Sequence, residues 1–112
     1  MSECIFCQIA SGEIQSEILY QDEKFLIIRD VNPCAPVHLL IIPKEHIESI
    51  DAVNEFAEVG AMLKLAVTMS RELGINETGY RLVINTGAAG GQSVEHLHIH
   101  LLGGRNLGWP PG

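Results

Sequence analysis

Near the C-terminus, Glu95-His96-Leu97-His98-Ile99-His100-Leu101-Leu102 sets three of the chain's five histidines at strict alternation, with apolar residues between them. Imidazole is the side chain suited to proton transfer, nucleophilic attack and metal binding near neutral pH. Alternation is the period of a β-strand, whose successive side chains point to opposite faces. A strand here aims His96, His98 and His100 one way and buries Leu97, Ile99 and Leu101 on the other side. Positions two apart on a strand lie roughly 6.5–7 Å from each other, so a phosphate group or a metal ion could touch two of the three rings. The plainer alternative is a histidine face that merely meets solvent. The glycine-rich run just before it, Thr86-Gly87-Ala88-Ala89-Gly90-Gly91-Gln92-Ser93, weighs against that.

The glycine-rich run lacks the lysine and spacing of a P-loop. It also leads into a strand, where a P-loop or a dinucleotide fingerprint leads into a helix. What remains is a turn able to bring backbone N–H groups near an anion, with the Gln92 amide and Ser93 hydroxyl beside the histidines. His38 lies in an apolar run and Asn85 ends another; taken alone, each reads as a satisfied polar group in a core. Cys4 and Cys7 form a Cys-x-x-Cys pair with metal-ligand spacing, not placed after a strand as a redox motif would be. Structural zinc takes four Cys or His ligands. His46 and His96 are the natural partners if His98 and His100 do chemistry, and two ordinary buried cysteines in a short helix are the alternative. Cys34, beside Pro33, reads as a buried or half-buried small side chain.

The elements that must position these groups follow from periodicity. Residues 4–11 suit a short helix ended by Gly12. Glu17–Gln21 and Lys24–Arg29 are strand-like runs that form a hairpin across Asp22-Glu23, an unfavoured two-residue turn. Asp30–Pro36 is a proline-fixed loop, and Val37–Ile42 is nearly continuously apolar, as a central strand buried on both faces would be. From Asp51 to Leu73 the period becomes helical. Val53, Phe56, Gly60, Leu63 and Val67 trace one stripe, while Val59, Met62, Ala66, Met69 and Leu73 trace a second. So wide an apolar surface means either a helix sunk in its own core or one that partly faces a partner subunit. Gly74 is the expected C-cap. Tyr80–Asn85 is a fourth strand, the histidine run a fifth, and the Gly/Pro-rich tail cannot be regular. Five strands joined by hairpins and loops, with one long and one short helix, read as an α+β sheet domain.

With 112 residues and 46% apolar content the chain fits one small domain with an ordinary core. No apolar run approaches the roughly 20 residues needed to span a bilayer, and Met1-Ser2-Glu3-Cys4 has no basic n-region. A cytoplasmic protein without a membrane partner is the expectation. Seven Lys+Arg against fourteen Asp+Glu give a net charge of −7, which argues against nucleic-acid binding. A small anion held by N–H groups and histidines stays possible. Three cysteines are an odd count for a disulfide framework.

These residues resemble a known family. His96-Leu97-His98-Ile99-His100-Leu101-Leu102 fits the His-x-His-x-His-x-x signature of the histidine-triad (HIT) superfamily. Gly90-Gly91-Gln92-Ser93-Val94, Leu102-Gly103-Gly104-Arg105 and Trp109-Pro110-Pro111-Gly112 resemble its Hint branch, as do Asp30-Val31-Asn32-Pro33, Ala35-Pro36-Val37-His38 and Ile42-Pro43-Lys44. The resemblance runs from Cys4 to Gly112. It implies a single HIT domain over residues 1–112, a five-stranded antiparallel sheet, and a homodimer whose sheets join into a ten-stranded one with the long helices at the interface. It also implies a nucleotidyl hydrolase or transferase that splits purine nucleoside 5′-phosphoramidates.

By the same resemblance His98 is the nucleophile toward the α-phosphorus, His100 and the loop around Gly91 and Gln92 attend the phosphate, and His38 supports the triad. Ser93 and Asn85 match positions that contact phosphate or leaving group. Asp30 matches the residue holding the ribose hydroxyls, Val31 lines the base pocket, and Trp109 reaches the partner's site. Cys4, Cys7, His46 and His96 match the ligands of a structural zinc found in some, many of them bacterial, members, and no organic cofactor is implied. A dinucleoside polyphosphate hydrolase of another histidine-triad branch is the nearest enzymatic alternative, and the Trp-Pro-Pro-Gly tail argues against it. A nucleotide-binding regulatory scaffold with vestigial catalysis, and a metallohydrolase with zinc on the triad itself, are the alternatives from other classes.

Overall fold

Alternating and continuously apolar runs build a five-stranded antiparallel sheet in a computed structural model that describes residues 3–112. In chain order the elements are α1 (Ile5–Ser11), β1 (Ile18–Gln21), β2 (Phe25–Arg29), β3 (Val37–Pro43), a 3-10 turn (Ile50–Ala52), α2 (Phe56–Glu72), β4 (Tyr80–Val83) and β5 (Ile99–Gly103). The strand order is β1-β2-β3-β5-β4, so the most apolar strand, β3, is central and buried almost throughout. The turn between β1 and β2 works despite its sequence, because Asp22 Oδ1 accepts the N–H groups of Lys24 and Phe25, both at 2.8 Å.

The pleat divides the core in two. On one face Phe25, Ile27, Leu39, Ile41, Ile99 and Leu101 pack with Val59, Met62, Ala66 and Met69 of α2. On the other, Leu26, Ile28, Leu40 and Ile42 pack with Phe6 and Ile9 of α1. A seven-residue helix is marginal by itself. Phe6 and Ile9 each add about 1.5–3 kcal/mol by burial, and that is what holds α1 on the sheet.

Several expectations are corrected. The long helix begins at Phe56, not Asp51, since residues 50–52 close a 3-10 turn with Ser49 Oγ accepting the Asp51 N–H. Val59, Met62, Ala66 and Met69 are buried while the other stripe is open at Phe56 and Leu63, 61% and 37% exposed, so the helix is not sunk in its own core. Gly74, at φ +77°, lies one residue past the cap at Leu73 and lets the chain leave in the left-handed region. The fifth strand pairs only from Ile99, because His96 and Leu97 bond outside the ladder, the N–H of Leu97 donating to the Ile47 carbonyl at 2.7 Å. The alternation survives nonetheless: Leu97, Ile99 and Leu101 lie in the α2-side core. Cys34 is exposed rather than buried, held out on its proline-flanked loop.

Candidate active site

Register brings His38 and His100 together. His38 is paired with Leu102, and Leu40 with His100, so both rings project from the α1-side face on a cross-strand diagonal. His38 Nε2 and His100 Nδ1 are 2.9 Å apart. The N–H of Cys34 donates to His38 Nδ1 at 2.9 Å, which leaves the His38 proton on Nε2. His38 therefore donates to His100 Nδ1, and His100 keeps its own N–H on Nε2. Asp30 Oδ2 lies 3.4 Å from His38 Nε2. Burial lowers the pKa of both rings, against the Asp30 charge. His100, with His98 and His38 also beside it, is pushed down to about 4. Both are thus neutral at pH 7.

His98 is buried, with the Phe6 ring edge-on at 5.1 Å. Its Nδ1–H donates to the His96 carbonyl at 2.7 Å. That bond settles the tautomer and leaves the Nε2 lone pair without a protein partner among the described residues. An imidazole held this way can attack an electrophilic phosphorus.

A cleft of about 700 Å³ opens beside it, a volume suited to a small-molecule ligand. Ile5, Phe6, Ile9, Ile28, Leu40 and Val94 give it apolar walls. His98, His100, Ser93 and Asp30 line its polar end, and Val31, 86% exposed, stands at its margin. The N–H and hydroxyl of Ser93 have no protein partner among the described residues. Arg29, the one basic residue among those lining the cleft, is paired with Glu17 at 3.1 Å. An anion at the histidine end must therefore be balanced by neutral donors.

Not every candidate residue lines this cleft. His38 does not line the cleft and bonds His100 instead. Asn85 donates its amide to the Gly90 carbonyl, and Gln92 bonds Gly87, Glu48 and Val94, so both shape the glycine-rich loop. The N–H groups of Gly90, Gly91 and Gln92 bond within that loop, to Gly87 and Ala88. Trp109, 83% exposed, is outside the cleft of its own chain. The wall residues of α1 were not singled out from the sequence. Their helical spacing beside the Cys pair was visible, but which face would meet a cleft was not.

His96 looks the other way. It is fully buried, its Nε2–H donates to the Pro43 carbonyl at 2.8 Å, and its Nδ1 faces Cys4 Sγ at 3.2 Å and Cys7 Sγ at 3.6 Å. His46 Nδ1 is 3.3 Å from Cys7 Sγ. All four donor atoms lie within 4.8 Å of one another. Tetrahedral zinc, with bonds of about 2.0–2.3 Å, separates its ligand atoms by roughly 3.3–3.8 Å, so the set fits. The Pro43 carbonyl is the outer partner that orients a ligating histidine. Asp30, His38 and His100 are equally close together. There, however, the 2.9 Å between the two facing nitrogens is a hydrogen bond, and the proton occupies the position an ion would need.

Residues 11–107 match the HIT domain family. A 14 kDa zinc-binding protein of Zea mays is 46% identical over 99% of this chain and 89% of its own. Among solved structures, a HIT family hydrolase from Legionella pneumophila Philadelphia 1 superposes with a TM-score of 0.94 at 49% identity, covering 98% of this chain and all of the other. A histidine triad nucleotide-binding protein from Candida albicans superposes with a TM-score of 0.84 at 32% identity, over 96% of this chain and 83% of that one.

Proposed function

The chain belongs to the HIT domain family, and on that premise we propose that it is a Hint-type nucleotidyl hydrolase that cleaves purine nucleoside 5′-phosphoramidates. The observation that carries this reading is His98. Its Nδ1–H is tied to the His96 carbonyl, and its unprotonated Nε2 belongs to a ring lining the cleft. Residues 1–112 act as one such domain.

In the first step Nε2 of His98 bonds to the α-phosphorus as the P–N bond to the amine breaks, and the amine leaves with a proton drawn from the Ser93 hydroxyl or solvent, which the attacking water gives back in the second step. In the second step water attacks the same phosphorus, the phosphorus–Nε2 bond breaks, and AMP is released. Two easier displacements replace one difficult one. His100, through its Nε2–H, and Ser93, through its N–H and hydroxyl, stabilise charge on the phosphoryl oxygens or leaving group. Asp30 accepts from the ribose hydroxyls, and the apolar walls with Val31 sandwich the purine. Asn85, Gly91 and Gln92 hold the loop that presents Ser93.

Cys4, Cys7, His46 and His96 would hold a structural zinc. When bound, the ion supplies a cross-link between α1, the segment after β3 and the approach to β5. Four protein ligands leave no open position for substrate. A cytoplasmic setting keeps both cysteines reduced and available to it.

The active form is a homodimer. The Phe56–Leu63 stripe is uncovered on α2, and β4 is an unpaired sheet edge whose pairing with a second β4 would make ten strands. Trp109 then has a partner's cleft to enter. Leu63→Glu is expected to convert a dimer to a monomer in sedimentation experiments, and a wild-type monomer at micromolar concentration would refute the assembly.

The reading is tested by steady-state rates on adenosine 5′-phosphoramidate beside a dinucleoside polyphosphate. A kcat/KM at least about 100-fold higher on the phosphoramidate is expected, a difference near 3 kcal/mol in barrier. The reverse preference would assign the chain to the polyphosphate-hydrolysing branch.

A further inference from the structure

The turn after β5 reaches back over the loop between β2 and β3. Gly104 sits in that turn at φ +89°, and a Cβ there would lie 2.9 Å from Pro36 Cβ. Only glycine permits so close an approach. The next residue closes the contact. Nε and Nη2 of Arg105 both donate to the Cys34 carbonyl, at 3.1 and 2.9 Å, and Nη1 donates to the Asn106 carbonyl at 3.0 Å. Among the described residues the guanidinium has no carboxylate partner; the ion pairs are Lys24–Glu58, Arg29–Glu17 and His38–Asp30. Two donors of a rigid fork on one oxygen hold that oxygen's orientation as well as its position.

The same residue, Cys34, supplies the N–H that bonds His38 Nδ1. A neutral imidazole has one donor and one acceptor nitrogen, so this bond decides the direction of everything beyond it. With His38 Nδ1 accepting, His38 Nε2 donates to His100, and His100 Nε2 carries a proton into the cleft. With the Cys34 N–H displaced, the chain can run backwards. His100 then donates from Nδ1 to His38, and its Nε2 becomes an acceptor with nothing to offer a phosphoryl oxygen. Asp30, at 3.4 Å, favours the forward tautomer only weakly at that distance.

We propose that Arg105 is a positioning residue that sets the direction of the His38–His100 hydrogen-bond chain by holding the Cys34 carbonyl. It touches neither substrate nor reacting atoms. Its effect on turnover rests on the proposed function; its effect on the tautomers does not.

The test is nitrogen NMR of imidazole-labelled, full-length protein without substrate, together with kinetics. In the wild type, Nδ1 of both His38 and His100 should be pyridine-type and Nε2 of both pyrrole-type. Arg105→Ala should populate the reversed tautomers and lower kcat by about 10- to 100-fold while KM changes by less than about threefold. Arg105→Lys should recover only part of this, since an ammonium is a point charge without the fork. Added guanidinium ion should recover more in the alanine variant, a rescue that a merely structural role would not show. A pyridine-type Nε2 on wild-type His38 overturns the proposal. So does a folded Arg105→Ala protein with unchanged tautomers and kcat. If the alanine variant does not fold, the wild-type spectrum and Arg105→Lys decide. A wild type inactive on phosphoramidates would refute the proposed function, leaving the spectra to judge Arg105.

Discussion

Replacing His98 with asparagine is expected to lower phosphoramidate turnover by roughly 10⁴-fold or more, the scale on which a covalent nucleophile is lost. Asparagine suits the experiment better than alanine. His98 is buried, and its Nδ1–H satisfies the His96 carbonyl. Alanine would leave that carbonyl without its donor at a cost of about 1–3 kcal/mol. An asparagine amide can still donate there but has no lone pair able to attack phosphorus. Loss of activity in a protein with an unchanged unfolding midpoint therefore isolates chemistry from stability. Acid-stable chemistry is not required for the check: a rapidly quenched wild-type reaction, digested under neutral conditions, should show a nucleotidyl mass on the peptide containing His98. The asparagine variant should show none. Wild-type turnover in His98→Asn would end the covalent mechanism.

Purified protein should contain about one zinc per chain, and Cys4→Ser should lose it together with much of the thermal stability. Serine preserves the other function of this residue, because Cys4 Sγ also accepts the Cys7 N–H as the N-cap of α1. What serine removes is the thiolate. The metal's contribution depends on how far its concentration exceeds its dissociation constant. A thousandfold excess stabilises the folded chain by about 4 kcal/mol, which lowers the midpoint by roughly 15–30 °C when withdrawn. Chelated wild-type protein should show the same shift, and restoring zinc should reverse it only in the wild type. A metal-free protein with an undiminished midpoint would refute the assignment. The loss should extend to the cleft, since α1 carries both Cys7 and the walls Ile5, Phe6 and Ile9.

These two predictions differ in how much of their basis can be read along the chain. The alternation from His96 to Leu101 separates a histidine face from an apolar face, because side chains on an extended backbone alternate whatever surrounds them. The two stripes of α2 are legible for the same reason at the helical period. The Cys4–Cys7 spacing shows a half-site for metal. His46 and His96 are its natural complement once His98 and His100 are set aside, the family resemblance names the same pair, and the structure brings all four donors together. Local period cannot show where one element stops pairing. The histidine strand therefore looked longer than β5 is, and the long helix, read from Asp51 to Leu73, looked longer than α2 at both ends. Nor could it show that Cys34 is exposed.

The sequence by itself determined which residue types could do chemistry here, the strands and helices that carry them, and the family whose motifs they match. The structure decided what each ring can do, through the fold for His96 and His100 and through a carbonyl two residues away for His98. His96, His98 and His100 are identical side chains at alternating positions, yet the first has Nδ1 toward sulfur, the second has Nε2 as a bare lone pair, and the third carries its proton on Nε2. Each difference comes from a hydrogen bond to the other ring nitrogen, made by the Pro43 carbonyl, the His96 carbonyl and His38. Tautomer choice depends on a partner within about 3 Å. Pro43 is 53 residues from His96 and His38 is 62 from His100, so only the folded sheet, with β3 laid beside β5, can bring those partners into place.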